Sequence, residues 1–279
     1  MNRKEALARA REILTDSHID DATLEGEILL RHMLGKSRAR LYADLDSDVS
    51  PDDYKLLKKL VKRRVKGEPS AYIIGNKEFY GLNFIVNRHV LIPRPETELL
   101  VEKAIDICRN NRYFLIADIG TGCGAIAISL AVNLPSVKIY ATDVSIKALE
   151  VAAQNCTKHG VTDRISFLRG DLLEPLPESI DLIIANLPYV KEAAIPAKGP
   201  LSFEPQLALN GGERGLDKIE RLCRQEDAKL NSQGSLLIEI GQGQAEDVKT
   251  ILHKYFPSGL IEVQKDLAGI ERVVSLRLT

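Results

Sequence analysis

The chain has 279 residues, 44% of them hydrophobic and 28% charged, enough apolar content for two cores under an ordinary polar surface. Lys and Arg total 38 against 39 Asp and Glu, which excludes a global field drawing the chain onto nucleic acid or membrane. Four scattered cysteines (Cys108, Cys123, Cys156 and Cys223) with no C-x-x-C pair argue against a structural zinc and for a reduced, cytoplasmic compartment; no segment has the apolar length of a membrane span.

The first seventy residues read as helices. Ala6, Leu7, Ala10, Ile13 and Leu14 recur at helical spacing, as do Leu24, Ile28, Leu29, Met33 and Leu34. Ser50-Pro51-Asp52-Asp53 combines a capping serine, a first-turn proline and acids at the positive dipole end. The helix it opens should carry Leu56, Leu57, Leu60, Val61 and Val65 and stop near Gly67-Glu68-Pro69. A small helical bundle is expected here. The run Lys55, Lys58, Lys59, Lys62, Arg63, Arg64, Lys66 carries no intervening acid and reads first as the solvated face of that helix.

Phe79-Tyr80-Gly81-Leu82-Asn83-Phe84-Ile85-Val86 then reads as a hairpin, the connector to a second domain. Pro93-Arg94-Pro95 forbids regular helix until Glu96, after which Leu99, Leu100, Ala104 and Ile107 resume helical spacing. From Tyr113 on, seven candidate strands follow: 114–117, 138–142, 165–169, 182–185, 235–239, 261–264 and 273–277. Helices are expected after the first, second, fourth and fifth. The fold class is therefore α/β, a parallel sheet covered on both faces. The last two strands are linked too briefly for a crossover and should pair antiparallel.

Chemistry concentrates at three strand ends. Gly120-Thr121-Gly122-Cys123-Gly124 turns a strand into a helix, where glycines let a ligand approach the backbone. Asp143 ends the next strand, 23 residues after Gly120, where a carboxylate can accept both hydroxyls of a ribose. Nicotinamide, flavin and S-adenosylmethionine (SAM) sites share this pairing, and Gly120-x-Gly122-x-x-Ala125 also satisfies the looser dinucleotide pattern. Asp171-Leu172, after the third strand, offers a carboxylate at adenine distance, or an ordinary loop acid. Cys123 has no adjacent base and reads as a packing residue, and the five histidines lie too far apart for a catalytic claim.

The fourth strand ends in Asn186-Leu187-Pro188-Tyr189. An amide nitrogen is a poor nucleophile because its lone pair is delocalised into the carbonyl. The Asn186 side-chain oxygen and the Leu187 carbonyl could accept its two N–H groups and favour build-up of positive charge during attack. Pro188 holds Leu187 extended, and Tyr189 offers a flat face to a planar group. Alone, the tetrad is as well explained by an Asx turn before proline. Behind a glycine turn and an acid at matching strand ends, methyl transfer to a planar amino group becomes the favoured reading.

The tetrad resembles the Asn-Pro-Pro-Tyr signature of amino-group methyltransferases, with Leu187 where a proline is usual. The whole chain is similar to the HemK/PrmC family, which methylates a glutamine side-chain amide in class I peptide-chain release factors. The resemblance runs through Tyr72-Ile73-Ile74-Gly75, Phe79-Tyr80-Gly81, Pro93-Arg94-Pro95-Glu96-Thr97-Glu98 and Asp118 to Ala127, then through Phe203-Glu204-Pro205 and Gly211-Gly212-x-x-Gly215-Leu216. It implies a Rossmann-like seven-stranded methyltransferase sheet with the last strand antiparallel. It also implies a release-factor-binding helical domain at 1–70, a hairpin connector at 71–95 and a SAM-dependent domain at 96–279. SAM would be held by Gly120, Thr121, Gly122, Cys123, Gly124, Asp143, Asp171, Leu172 and Asn186. The substrate amide would meet Asn186, Leu187, Pro188 and Tyr189, with Asn186 and Tyr189 catalytic and no metal. The target would be the glutamine of the release factor's GGQ motif, methylated by a cytoplasmic monomer without nucleic acid or membrane. Two alternatives stay open: an adenine amino-group methyltransferase acting on DNA or RNA, and a SAM-binding regulatory module without turnover.

Overall fold

Asn2 opens the first helix with a reciprocal cap: its side chain accepts from the Glu5 N–H (2.8 Å) while the Glu5 carboxylate accepts from the Asn2 N–H (3.1 Å). The computed structural model describes residues 1–111, 113–225 and 229–278. It divides into two compact units, one of residues 1–76 with 196–203, the other of residues 77–195 with 204–279.

The smaller unit contains five helices among its described residues: α1 (Arg3–Asp16), α2 (Ala22–Leu34), α3 (Arg38–Ala43), α4 (Pro51–Val65) and α5 (Ser70–Ile74). Ser50 caps α4 as expected, accepting from the Asp53 N–H at 3.1 Å. Ala6, Leu7, Ala10, Leu14, Leu29, Leu30, Leu57, Leu60 and Val61 form much of its core. The expected apolar stripes need correction at their edges, because Ile13, Leu24, Leu56 and Val65 are exposed. In α2 the buried stripe is Ala22, Gly26, Leu29 and Leu30. Leu24, two residues from both Ala22 and Gly26, turns about 200° away from them. Gly26 sets this phase, since a Cβ there would come within 3.1 Å of Arg11 Cγ on α1. The basic run of α4 is exposed at its lysines, but Arg64 is buried and ion-paired to Glu25 (3.1 Å), so it belongs to the bundle's interior.

The larger unit begins inside the hairpin of β1 (Asn76–Phe79) and β2 (Leu82–Ile85), at Lys77. Tyr80 and Gly81 both take positive φ (50° and 70°), the requirement of the two-residue turn that matches strand twist. A short 3-10 turn at Pro95–Thr97 precedes α6 (Glu98–Asn111). Seven strands then form one sheet in the order β5-β4-β3-β6-β7-β9-β8. They are β3 (Leu115–Ile119), β4 (Lys138–Asp143), β5 (Ile165–Arg169), β6 (Ile180–Ala185), β7 (Leu230–Glu239), β8 (Leu260–Lys265) and β9 (Glu271–Arg277). Strands β3 to β7 pair parallel, and β9 runs antiparallel between β7 and β8. This is the expected α/β sheet with its antiparallel last strand. The helices α7 (Ala125–Asn133), α8 (Ile146–Lys158), α9 (Asp217–Gln225) and α10 (Ala245–Tyr255) follow β3, β4, β6 and β7.

The chain leaves β3 for β4 and β5 on one side, then returns to β6 on the other. That reversal opens a crevice at the carboxyl ends of β3, β4 and β6, where ligands bind in sheets of this kind. Gly120, Asp143 and Asn186 stand at those three ends.

Candidate active site

The glycine turn is built around a buried acid. Asp118 Oδ2 accepts from the Thr121 hydroxyl (2.6 Å) and the Ala127 N–H (3.1 Å), fastening the turn to the first turn of α7. Burial pushes this carboxyl up to about 6. Gly120, Gly122 and Gly124 all have positive φ, and a Cβ on Gly124 would meet Ile128 Cδ1 at 2.9 Å. The turn needs glycine for conformation at the first two and for helix–strand packing as well at the third.

Asp143 is tied into the same turn. Its Oδ2 accepts from the Gly122 N–H (3.0 Å) and its Oδ1 from the Ser145 N–H (2.9 Å). An ionised carboxylate has about four acceptor positions, so two remain for a pair of hydroxyls. The carboxyl and the glycine backbone thus fit a ribose-bearing cofactor. Leu172 takes φ +52°, unusual for a residue with a branched side chain, and its carbonyl accepts from the Thr142 hydroxyl at 3.0 Å. Asp171 is ion-paired with Arg221.

A cavity of about 210 Å³ lies over these strand ends. Of the residues expected at the site, Gly120, Gly122, Asp143, Asp171, Leu172, Asn186, Leu187 and Pro188 line it. Thr121, Cys123 and Gly124 do not, and all three are buried. Burial pushes the Cys123 thiol up to about 12, consistent with packing. Tyr189 also lies outside that lining; it borders a second depression with Lys191, Arg214 and Gln244. Its hydroxyl approaches Glu239 Oε1 (3.4 Å), and burial pushes the phenol up to about 12.

The tetrad is held rigidly. Asn186 lines the cavity, and its Nδ2 donates to the Thr97 hydroxyl at 3.0 Å, so its amide oxygen is not engaged by Thr97. The Leu187 side chain is buried, and its Cδ2 lies 3.3 Å from where a Gly120 Cβ would stand. Leucine therefore packs under the glycine turn. The Val190 N–H donates to the Leu209 carbonyl (3.1 Å) and the Gly211 N–H to the Val190 carbonyl (2.8 Å). A Cβ on Gly211 would lie 2.6 Å from the Pro188 oxygen, and one on Gly215 2.4 Å from the Tyr189 oxygen. Here the Gly-Gly-x-x-Gly segment has its physical reason: it passes directly against the tetrad's backbone.

Several supporting residues escaped the sequence reading. Asn155, fully buried on α8, donates to the carbonyls of Cys123 (2.9 Å) and Ile85 (3.0 Å) and accepts from the Ile85 N–H (2.7 Å), joining hairpin to glycine turn. Glu204 accepts from the Ile92 N–H (3.1 Å) and is ion-paired with Arg94, which braces the cavity-lining residues Pro205, Leu207 and Ala208 against His89, Val90 and Leu91. Glu239, at the end of β7, is 2% exposed. Among the described residues no cluster of His, Cys, Asp or Glu could hold a metal, and no helix is long and apolar enough to cross a membrane.

A seven-stranded sheet with this last-strand pairing, a glycine turn, an acid on the neighbouring strand and a polar tetrad at the switch point define a methyltransferase. Family models agree: residues 5–75 match the PrmC N-terminal domain and residues 96–198 the methyltransferase small domain. A release factor glutamine methyltransferase of Geobacter sulfurreducens is 37% identical over 280 residues, covering 99% of this chain and 96% of that protein. The chain belongs to the release factor glutamine methyltransferase family. It also matches a bifunctional methyltransferase of Rickettsia typhi, at 35% identity over 98% of this chain, but spans only 57% of that longer protein. A methyltransferase structure from Pyrococcus furiosus superimposes with a TM-score of 0.53 over 72% of this chain and 91% of its own, at 15% identity, a likeness of fold alone.

Proposed function

We propose that this chain transfers a methyl group from SAM to the side-chain amide nitrogen of the glutamine in the GGQ motif of class I release factors. The observation that carries this reading is Asn186, which lines the cavity at a strand end and whose amide nitrogen is engaged by Thr97, so that its oxygen is available to accept from a substrate. Family membership supports it: proteins named release factor glutamine methyltransferase match over nearly the whole chain. When bound, SAM supplies an electrophilic methyl on a sulfonium.

This chain's residues then do the positioning. Asp143 would receive the ribose hydroxyls, Gly120 and Gly122 would offer the cofactor their backbone, and Asp171 and Leu172 would border the adenine. The Asn186 oxygen and the Leu187 carbonyl accept the two N–H groups of the substrate amide. They hold its nitrogen in line and stabilise the charge that builds there, so orientation carries most of the rate.

Asp143→Ala should weaken SAM binding by about 1–3 kcal/mol, the cost of stranding hydrogen-bonding groups, with the fold retained. Unchanged affinity by calorimetry would remove Asp143 from the ribose. The smaller unit is assigned to engaging the release factor, the chain acting as a cytoplasmic monomer without nucleic acid. Removing residues 1–76 should abolish release-factor binding and keep SAM binding; retained binding of the factor would contradict that assignment.

A further inference from the structure

We infer that Gln244 is a positioning residue for methyl transfer, whose side-chain amide ties the tetrad's backbone at Tyr189 to the end of β7 and so fixes the direction of the Leu187 carbonyl. This rests on the amide-methylation reading above and adds to it the group that holds the second acceptor in place.

Gln244 stands just before α10, in the turn Gly241-Gln242-Gly243-Gln244 that follows β7. Its Oε1 accepts from the Gly241 N–H at 2.8 Å, and its Nε2 donates to the Tyr189 carbonyl at 3.1 Å and the Gly215 carbonyl at 3.3 Å. The oxygen and the nitrogen of the amide are thus both engaged. The reversed amide would set N–H against N–H at Gly241 and oxygen against oxygen at the two carbonyls, so one orientation is admitted. The corner is built around this side chain. A Cβ on Gly215 would lie 2.9 Å from Gln244 Nε2, and one on Gly241 would lie 2.9 Å from Gln244 Oε1 and 3.1 Å from Tyr189 Cδ2. Glycine at both positions lets the amide fit between two stretches of backbone.

The backbone bonds of Val190 join the tetrad's tail to Leu209 and Gly211, so these two loops hold each other. Gln244 fastens both to the sheet, because Gly241 follows Ile240, whose N–H donates to the Arg272 carbonyl of β9 at 2.9 Å. The tetrad is then fixed at both ends, by β6 before Asn186 and by Gln244 at Tyr189. Between them Pro188 has a locked φ but Leu187 does not, so the direction of the Leu187 carbonyl follows from where those ends are held. Released from Gln244, Tyr189 and Gly215 can shift together, and the Leu187 carbonyl turns with them.

Three variants separate the contributions. Gln244→Met keeps most of the volume and removes these hydrogen bonds. Gln244→Glu keeps the acceptor for the Gly241 N–H but, when ionised, sets a carboxylate oxygen against the two carbonyls. When protonated it regains one donor. The acid form is the competent one, so the rate of this variant relative to wild type should rise as pH falls. Of the charged groups bordering the same depression, Lys191 and Arg214 favour the carboxylate and Asp247 the acid. Gln242→Ala, at an exposed residue of the same turn, is the control.

The test is single-turnover methyl transfer from saturating SAM to purified release factor, from about pH 5.5 to 8.5, with each rate taken as a ratio to wild type. Gln244→Met should be slower by about tenfold or more at every pH, the cost of a small displacement at the reacting groups, while SAM affinity by calorimetry stays within about twofold. Gln244→Glu should lose at least as much at the alkaline end and recover toward the acid end, and Gln242→Ala should match wild type. The inference is overturned by a Gln244→Met rate within about twofold of wild type, by equal losses in Gln242→Ala, or by a Gln244→Glu ratio that does not rise with acid. A loss of SAM affinity as large as the loss of rate in Gln244→Met would also overturn it. Transfer absent from the wild type at every pH would instead overturn the functional reading. The tie would then be read without turnover, from the carbonyl carbon resonance of Leu187 by NMR. A difference between wild type and Gln244→Glu that shrinks at low pH supports it, and an unchanged resonance contradicts it.

Discussion

Replacing Asn186 by alanine should slow single-turnover methyl transfer by about 10²–10³-fold, the usual cost of removing one preorganised group from a transition state. On the proposed reading the substrate nitrogen gains positive charge as it attacks, and the amide oxygen of Asn186, which lines the cavity, would accept from it. Its loss leaves the Leu187 carbonyl alone, and the amide swings out of line. SAM affinity should change far less, because Asp143, the glycine turn and Leu172 lie on other strand ends. Asn186→Asp should fall between: it keeps an acceptor oxygen, but adds a negative charge and loses the amide N–H that donates to the Thr97 hydroxyl. Rates measured with release factor in excess check both variants. A rate for the alanine variant within a few-fold of wild type would remove the tetrad from the chemistry.

Gly215→Ala should be among the damaging methyl-sized changes near the site. The residue has φ +76°, which costs an alanine about 1–2 kcal/mol by itself. Its Cβ would also fall 2.4 Å from the Tyr189 oxygen and 2.9 Å from Gln244 Nε2. These two atoms cannot simply part, since Gln244 Nε2 donates to that oxygen at 3.1 Å. The loop must give way or the tetrad must move. We expect a loss of more than about 2 kcal/mol in urea unfolding, together with a fall in transfer rate. Gly243→Ala is the control: its φ is +82°, but nothing lies within 4 Å of the new methyl, so only the backbone term of about 1 kcal/mol should appear. Equal losses for the two variants would mean that the contact with Tyr189 is not what glycine protects.

What could be read from the sequence was what depends on local pattern. Short apolar runs alternating with helical spacing predicted the strands, and the short final link predicted the antiparallel pair, because strand period and loop length are properties of neighbouring residues. The acid at the end of β4 and the tetrad at the end of β6 were legible for the same reason. Leu24 and Leu56 were misplaced because several apolar residues competed for one stripe, and only the close approach at Gly26, or the ion pair of buried Arg64 with Glu25, decides the phase. Thr97 stood inside a motif without a role, since its partner Asn186 lies 89 positions away. Glu239 did carry a signal. It is a carboxylate ending the apolar run Leu236-Leu237-Ile238, the same logic that singled out Asp143, and it points to a group kept at the site despite the cost of burial. Asn155 gave no such sign, being one polar residue on an amphipathic helix.

The central claim is methyl transfer from SAM to a glutamine amide of a release factor. Its most direct measurement incubates the intact chain with tritiated SAM and, in parallel, purified class I release factor, duplex DNA and structured RNA, followed by mass spectrometry of the labelled product. We expect label on the release factor alone, as one methyl group on the GGQ glutamine side chain. Label on adenine in either nucleic acid, with none on the protein, would contradict the account.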